Sequence, residues 1–108
     1  MAEDTPLSNV LRVGEVVRAE PFPEADTPEL VKLWVDVGEE TLRSAGQLGY
    51  NYEPDGLVGR QVLVATDLGE VPIAGFTSEA LTVGVPDADG NPTLVVPDGD
   101  VPPGGTLY

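Results

Sequence analysis

Cysteine and histidine are both missing from this 108-residue chain, and lysine occurs once, at Lys32. Without cysteine there is no disulfide, no thiolate metal site and no thiol nucleophile. Without histidine, no unperturbed side chain titrates near neutral pH to serve as a general base. No apolar run approaches the roughly 18–20 residues needed to cross a bilayer. The opening MAEDTPLSNV has neither the basic nor the apolar region of a secretory signal. These absences predict a cytoplasmic protein with no membrane partner, no cofactor and no enzymatic activity. Paired carboxylates do occur, but nineteen acidic residues produce pairs by chance. Ser78-Glu79 reads as a turn serine opening a strand rather than an activated nucleophile.

What is abundant is negative charge: nineteen acidic against five basic residues, a formal net charge of −14. A hydrophobic content of 41% excludes a disordered acidic tail, which would be depleted of such residues. The length fits a single domain over residues 1–108 with one modest core. Two accounts of the charge compete. One is a surface that repels polyanions or attracts cations; the other is adaptation to molar salt. The carboxylates are scattered from Glu3 to Asp100 rather than gathered in a block, which favours the second. At about 1 M salt the Debye length is roughly 3 Å, so repulsion between spaced carboxylates is largely removed.

Glycine and proline supply 13 and 11 residues and punctuate short β-branched runs, the pattern of an all-β barrel or sandwich. Strands are expected over 11–20, 31–37, 41–46, 61–67 and 79–85, with a short addition at 93–96. In the first, Val13, Val16 and Val17 are the apolar positions, with Arg12, Glu15 and Arg18 toward solvent. In the second, Leu33, Val35 and Val37 share one face while Lys32, Trp34 and Asp36 share the other. Tyr52 to Gly59, carrying Pro54, Asp55 and Gly56, reads as a turn or short helical connection. The tail from Val101 to Thr106 reads as irregular. The strand count suits a five-stranded OB-fold barrel; composition alone fits an SH3-like barrel equally well. Asp87, Asp89 and Asn91 resemble part of a calcium loop, but Gly90 precedes the asparagine, out of order for such a loop, and Asp-Gly-Asn is a good hairpin turn.

Several segments, in order and at consistent spacing, carry a family resemblance: Leu11-Arg12-Val13-Gly14; Ala19 to Ala25; Lys32-Leu33 with Val35-Asp36-Val37-Gly38; Tyr52 to Leu57; Ile73-Ala74-Gly75-Phe76 with Ser78-Glu79; and Pro97-Asp98 with Val101 to Gly104. Together they resemble the tRNA-binding domain of some methionyl-tRNA synthetases and EMAP II-type cofactors. Ser44 to Gln47 and Ile73 to Phe76 look most like the free-standing CsaA-type branch, described as export chaperones. The resemblance implies an OB-fold, no enzymatic activity and a homodimer. It also exposes a departure. Relatives place basic residues just before the Ile-x-Gly core, where this chain has Gly69, Glu70, Val71 and Pro72.

Two partners follow from the resemblance, tRNA or an unfolded preprotein segment. The candidate RNA- or peptide-binding residues are Tyr50, Asn51, Tyr52, Phe76 and Ser78. Exposed rings on an OB face hold bases by stacking, at about 1–3 kcal/mol each. Trp34 is expected to be either exposed or covered by a dimer partner, and Leu7, Trp34 and Leu107 are the apolar residues outside the barrel pattern that a dimer would bury.

Overall fold

A computed structural model of the chain describes residues 10–107. Five antiparallel strands curl into one sheet in the order β3-β2-β1-β4-β7. They are β1 (Leu11–Pro21), β2 (Val31–Asp36), β3 (Thr41–Gly46), β4 (Gln61–Ala65) and β7 (Leu81–Thr82). Two hairpins account for the remaining described strands, β5 (Val71–Ile73) with β6 (Phe76–Ser78) and β8 (Gly84–Pro86) with β9 (Pro92–Leu94). The architecture is the expected all-β, OB-like barrel. Among the described residues no helix is long and apolar enough to cross a membrane.

Period-2 alternation builds the interior. Val31, Leu33, Val35 and Val37 are buried, and Val62 and Val64 of β4 meet them. The short helix α1 (Pro54–Leu57) places the fully buried Leu57 in the same core. Gly14 is what allows β1 and β2 to close so tightly: a Cβ there would lie 2.3 Å from Val35 Cγ1. A tight core cannot absorb such an intrusion without displacing its neighbours.

Four expectations need correction. Val17 is not part of the apolar face but 46% exposed. Val16 pairs with Val35 and Arg18 with Trp34, so Val17 is the extra residue of a β-bulge, which bends the strand and rotates the side chains that follow. The strand expected over 79–85 is broken. Leu81 and Thr82 pair with β4, whereas Gly84 to Pro86 turn away to pair with β9. Ser78 closes β6 rather than opening a strand. Finally, the tail is not wholly irregular. Val13 N–H donates to Gly105 O and Gly104 N–H to Val13 O, and Arg12 bridges to Thr106. Gly104 has φ +93°, and a Cβ there would lie 2.5 Å from Val37 O, so only glycine fits.

Candidate nucleic-acid interface

The Ile73-Ala74-Gly75-Phe76 motif is a two-residue hairpin. Ile73 pairs with Phe76, and Ala74 (φ 45°) and Gly75 (φ 86°) both lie in the left-handed region, as a type I′ turn requires. The hairpin delivers Ser78 and Glu79 against β3. Glu79 N–H donates to Arg43 O at 2.8 Å, and the Glu79 carboxylate accepts from Arg43 N–H at 3.0 Å and Arg43 Nε at 3.1 Å. Ser78 Oγ accepts from Ala45 N–H at 3.1 Å and donates to Ala80 O at 3.3 Å. Ser44 and Thr82 hydroxyls meet at 2.9 Å. Side chains thus replace ladder rungs where the barrel closes between β3 and the β6–β7 segment. Arg43 backbone N–H, and after it the guanidinium, hold the Glu79 carboxyl below its ordinary value.

Tyr50 closes the 3-10 turn Leu48–Tyr50, and Asn51 and Tyr52, which follow it, meet the other hairpin. Asn51 Nδ2 donates to Asp87 Oδ2 at 2.9 Å and to Pro92 O at 3.1 Å, and Tyr52 Oη accepts from Leu94 N–H at 3.0 Å. Asp87 Oδ1 accepts from the backbone N–H groups of Asp89 and Asn91. Both carboxylate oxygens are therefore engaged in shaping the β8–β9 turn, which bears out the hairpin reading of this segment. The Asn51 amide, followed by Asn91 N–H, pulls the Asp87 carboxyl below its ordinary value. Tyr50 is 48% exposed.

The five candidate residues therefore fall on two different elements. Asn51, Tyr52 and Ser78 each spend polar atoms on internal bonds, and Phe76 is buried, at 8% exposure. Phe76 forms edge-on contacts with Phe22 and Trp34, at ring-centroid distances of 5.7 and 5.5 Å. Trp34 is thus half-covered by its own chain, in a small apolar cluster outside the barrel with Phe22, Leu30, Ala45 and Ile73. Leu7 lies outside the described residues, and Leu107 is partly buried.

A constellation that sequence reasoning missed surrounds this cluster. Arg18 stacks 4.4 Å from the Trp34 ring, Lys32 Nζ lies 4.9 Å from Phe22 and 5.7 Å from Phe76, and Arg43 lies 5.9 Å from Phe76. Register explains it: Arg18, Trp34 and Arg43 lie directly across from one another on β1, β2 and β3, with Glu20 opposite Lys32. Three of the chain's five basic residues therefore share one outward face. Each has a carboxylate partner: Glu20 for Arg18 and for Lys32 (3.6 Å), and Glu79 for Arg43. Arg18's hydrogen bond, ahead of its charge, lowers the Glu20 carboxyl pKa. The signal was present in the alternation of Lys32 and Trp34 along β2, but only the pairing with β1 and β3 assembles it.

The loop before β5 is different. It borders a hollow of about 380 Å³ in which Arg12 is surrounded by Glu40, Asp67, Glu70 and Glu79. Arg12 Nε is buried without a partner there, and the guanidinium's ion pair is with Glu39 at 3.5 Å. A phosphate entering would face carboxylates on every charged side but one.

The described residues thus form a small β-barrel with a face of rings and cations on β1–β3. Residues 11–106 match the family described as "Putative tRNA binding domain". The chain is 37% identical over 94 residues to the methionine–tRNA ligase of Methanocaldococcus jannaschii, covering 87% of this chain but 14% of that enzyme. It thus spans about one seventh of the length of such curated relatives. Among solved structures, the chaperone CsaA of Bacillus anthracis superposes with a TM-score of 0.80 at 34% identity, covering 92% of this chain and 90% of that one. CsaA of Picrophilus torridus gives 0.82 at 31% identity, covering 92% and 91%. The chain belongs to the tRNA-binding domain family, and its fold is CsaA-like.

Proposed function

We propose that this domain binds tRNA on the outward face of β1–β3, without catalysis of its own. The observation that carries this reading is the gathering of Arg18, Lys32 and Arg43 around Trp34 and Phe76 in a chain of net charge −14. Phosphates would compete with Glu20 and Glu79 for these cations, while stacking supplies charge-independent affinity. Of the candidate tyrosines, Tyr50, 48% exposed, offers its ring to a base. Asn51, Tyr52, Phe76 and Ser78 would then act by shaping the surface. The alternative ligand, an unfolded preprotein segment, draws on the two CsaA neighbours, whose names call them chaperones.

The same reading includes a cytoplasmic setting, a homodimer and adaptation to molar salt. The scatter of carboxylates supports the last, and family membership supports the first two. Light scattering that finds only an 11.3 kDa species at high salt contradicts the dimer.

The test is binding of bulk tRNA and of an unfolded preprotein in ~2 M KCl, where charge is screened. Tyr50→Ala is expected to weaken tRNA binding by about 1–3 kcal/mol. The slope of log affinity against log salt should be shallow, because few cations are available to displace counterions. Glu70→Arg with Val71→Arg should tighten binding and steepen that slope. If neither form binds tRNA and the preprotein does bind, the RNA reading is overturned.

A further inference from the structure

The Pro97-Asp98 motif has no task in the barrel or on the β1–β3 face. Asp98, Gly99 and Asp100 are exposed. Among the described residues, no hydrogen bond or ion pair engages any position from Val96 to Asp100. The flanks are fixed. Val95 N–H donates to Val83 O at 3.2 Å. Val101 is held by the Gln61 side chain, which accepts from its N–H at 3.1 Å and donates to its carbonyl. Between these anchors the backbone can bend without breaking a bond.

An Asp-Gly bond carries a reaction of its own. The glycine nitrogen can attack the aspartyl Cγ, because no Cβ on the following residue obstructs ring closure. The N–Cγ bond forms, the Cγ–OH bond breaks, and the amide proton leaves with the hydroxyl as water. Water then opens the cyclic succinimide. Cleavage between Cγ and nitrogen restores aspartate. Cleavage between the main-chain carbonyl carbon and nitrogen leaves the glycine attached through Cγ, an isoaspartyl residue with a free α-carboxylate. No oxidant, reductant or cofactor is consumed.

The sequence offers three such bonds, Asp55-Gly56, Asp89-Gly90 and Asp98-Gly99. All three aspartates are exposed, so access to water does not sort them. The fold does. Gly56 N–H donates to Glu53 O at 3.0 Å within α1, and Gly90 N–H donates to Asp87 O at 3.0 Å in the β8–β9 turn. Each of these nitrogens must give up its hydrogen bond before it can attack. Asp89 is restrained further, its own N–H donating to Asp87 Oδ1 at 2.9 Å. Gly99 N–H has no acceptor among the described residues, and nothing has to break before it reaches Cγ.

We propose that Asp98 is a modification site, isomerising to isoaspartate through the Gly99 nitrogen, while the fold protects Asp55 and Asp89. The reaction needs neither RNA nor a preprotein segment. The test holds the full chain below its melting temperature in ~2 M KCl, with a parallel sample unfolded in guanidinium chloride. Isoaspartate is counted by enzymatic carboxyl methylation with labelled S-adenosylmethionine and placed by electron-transfer fragmentation of peptides. In the folded chain it should accumulate at Asp98 and stay low at Asp55 and Asp89. In the unfolded chain the three bonds should convert at similar rates. Gly99→Ala should remove most of the Asp98 signal from the folded chain. That variant is unstrained, because Gly99 lies outside the left-handed region and an added Cβ would meet nothing within 4 Å. Equal accumulation at the three sites of the folded chain overturns the proposal. So does a folded chain that stays unmodified at Asp98 while the unfolded one converts. An undiminished Asp98 signal in Gly99→Ala overturns the route through the Gly99 nitrogen.

Discussion

Glu79 does its work inside the molecule, at the seam where the barrel closes. It accepts from both the backbone and the guanidinium of Arg43, and its carboxyl is held below the ordinary value of 4.5. Asp87 is likewise held below 3.8. A lowered folded-state pKa means that the folded chain binds the proton less well than the unfolded chain. The stability contributed is fully present above the ordinary values and is lost as pH falls through the lowered ones. In ~2 M KCl, where general charge repulsion is screened, the denaturant midpoint should hold steady from about pH 7 to 5 and fall below about pH 4. Glu79→Gln should lower the neutral-pH midpoint and flatten part of the acid arm; an unchanged profile would show that the seam does not depend on this carboxylate. At the same scale, the ligand candidates were legible as residue types but not as free groups. Nothing local in the sequence says that Ser78 Oγ is already committed to Ala45 and Ala80.

At the scale of elements, the strands with strong alternation were legible, β2 above all. The failures lie where the chain leaves that regime. One extra residue at Val17 shifts the pattern of β1, and β5 and β6 are too short to announce themselves beside a type I′ turn whose first position is alanine. Ala74 at φ 45° occupies a region that costs a non-glycine residue about 1–2 kcal/mol. Among residues with a side chain, asparagine tolerates it best, and it makes the favoured Asn-Gly turn. Ala74→Asn is therefore expected to stabilise the fold by about 0.5–1 kcal/mol, read as a higher denaturant midpoint with an unchanged slope. A destabilised variant would mean that the turn is held by something other than its own backbone preference.

The molecule as a whole carries acidic residues scattered from Glu3 to Asp100 along its sequence. With a net −14 over a folded surface of 6220 Å², repulsion is larger in the compact state than in the extended chain at low ionic strength. The Debye length falls from about 10 Å at 0.1 M to about 3 Å at 1 M, which removes most of that penalty. The melting temperature should accordingly rise steeply between 0.1 M and ~2 M KCl. Equal midpoints at the two concentrations would contradict adaptation to salt and return the acidity to a functional cause. The charge also has an internal order that composition conceals. Arg18, Lys32 and Arg43 share the outward face of β1–β3, while the hollow at Arg12 is lined by carboxylates.

The sequence by itself determined the β class, the buried face of β2, the hairpin turn at Asp87 to Asn91 and the family. All of these follow from alternation, turn chemistry and ordered short motifs, which act over a few residues. Only the tertiary structure decided that Ser78 and Glu79 seal a barrel, that Trp34 is covered by Phe76, and that Arg18, Lys32 and Arg43 meet on one face. Those arrangements join side chains on β1, β2 and β3 with β6, about thirty residues further along the chain than β3. Their geometry depends on a single bulge at Val17 and on how strands twist to close, a long-range consequence that no local pattern encodes.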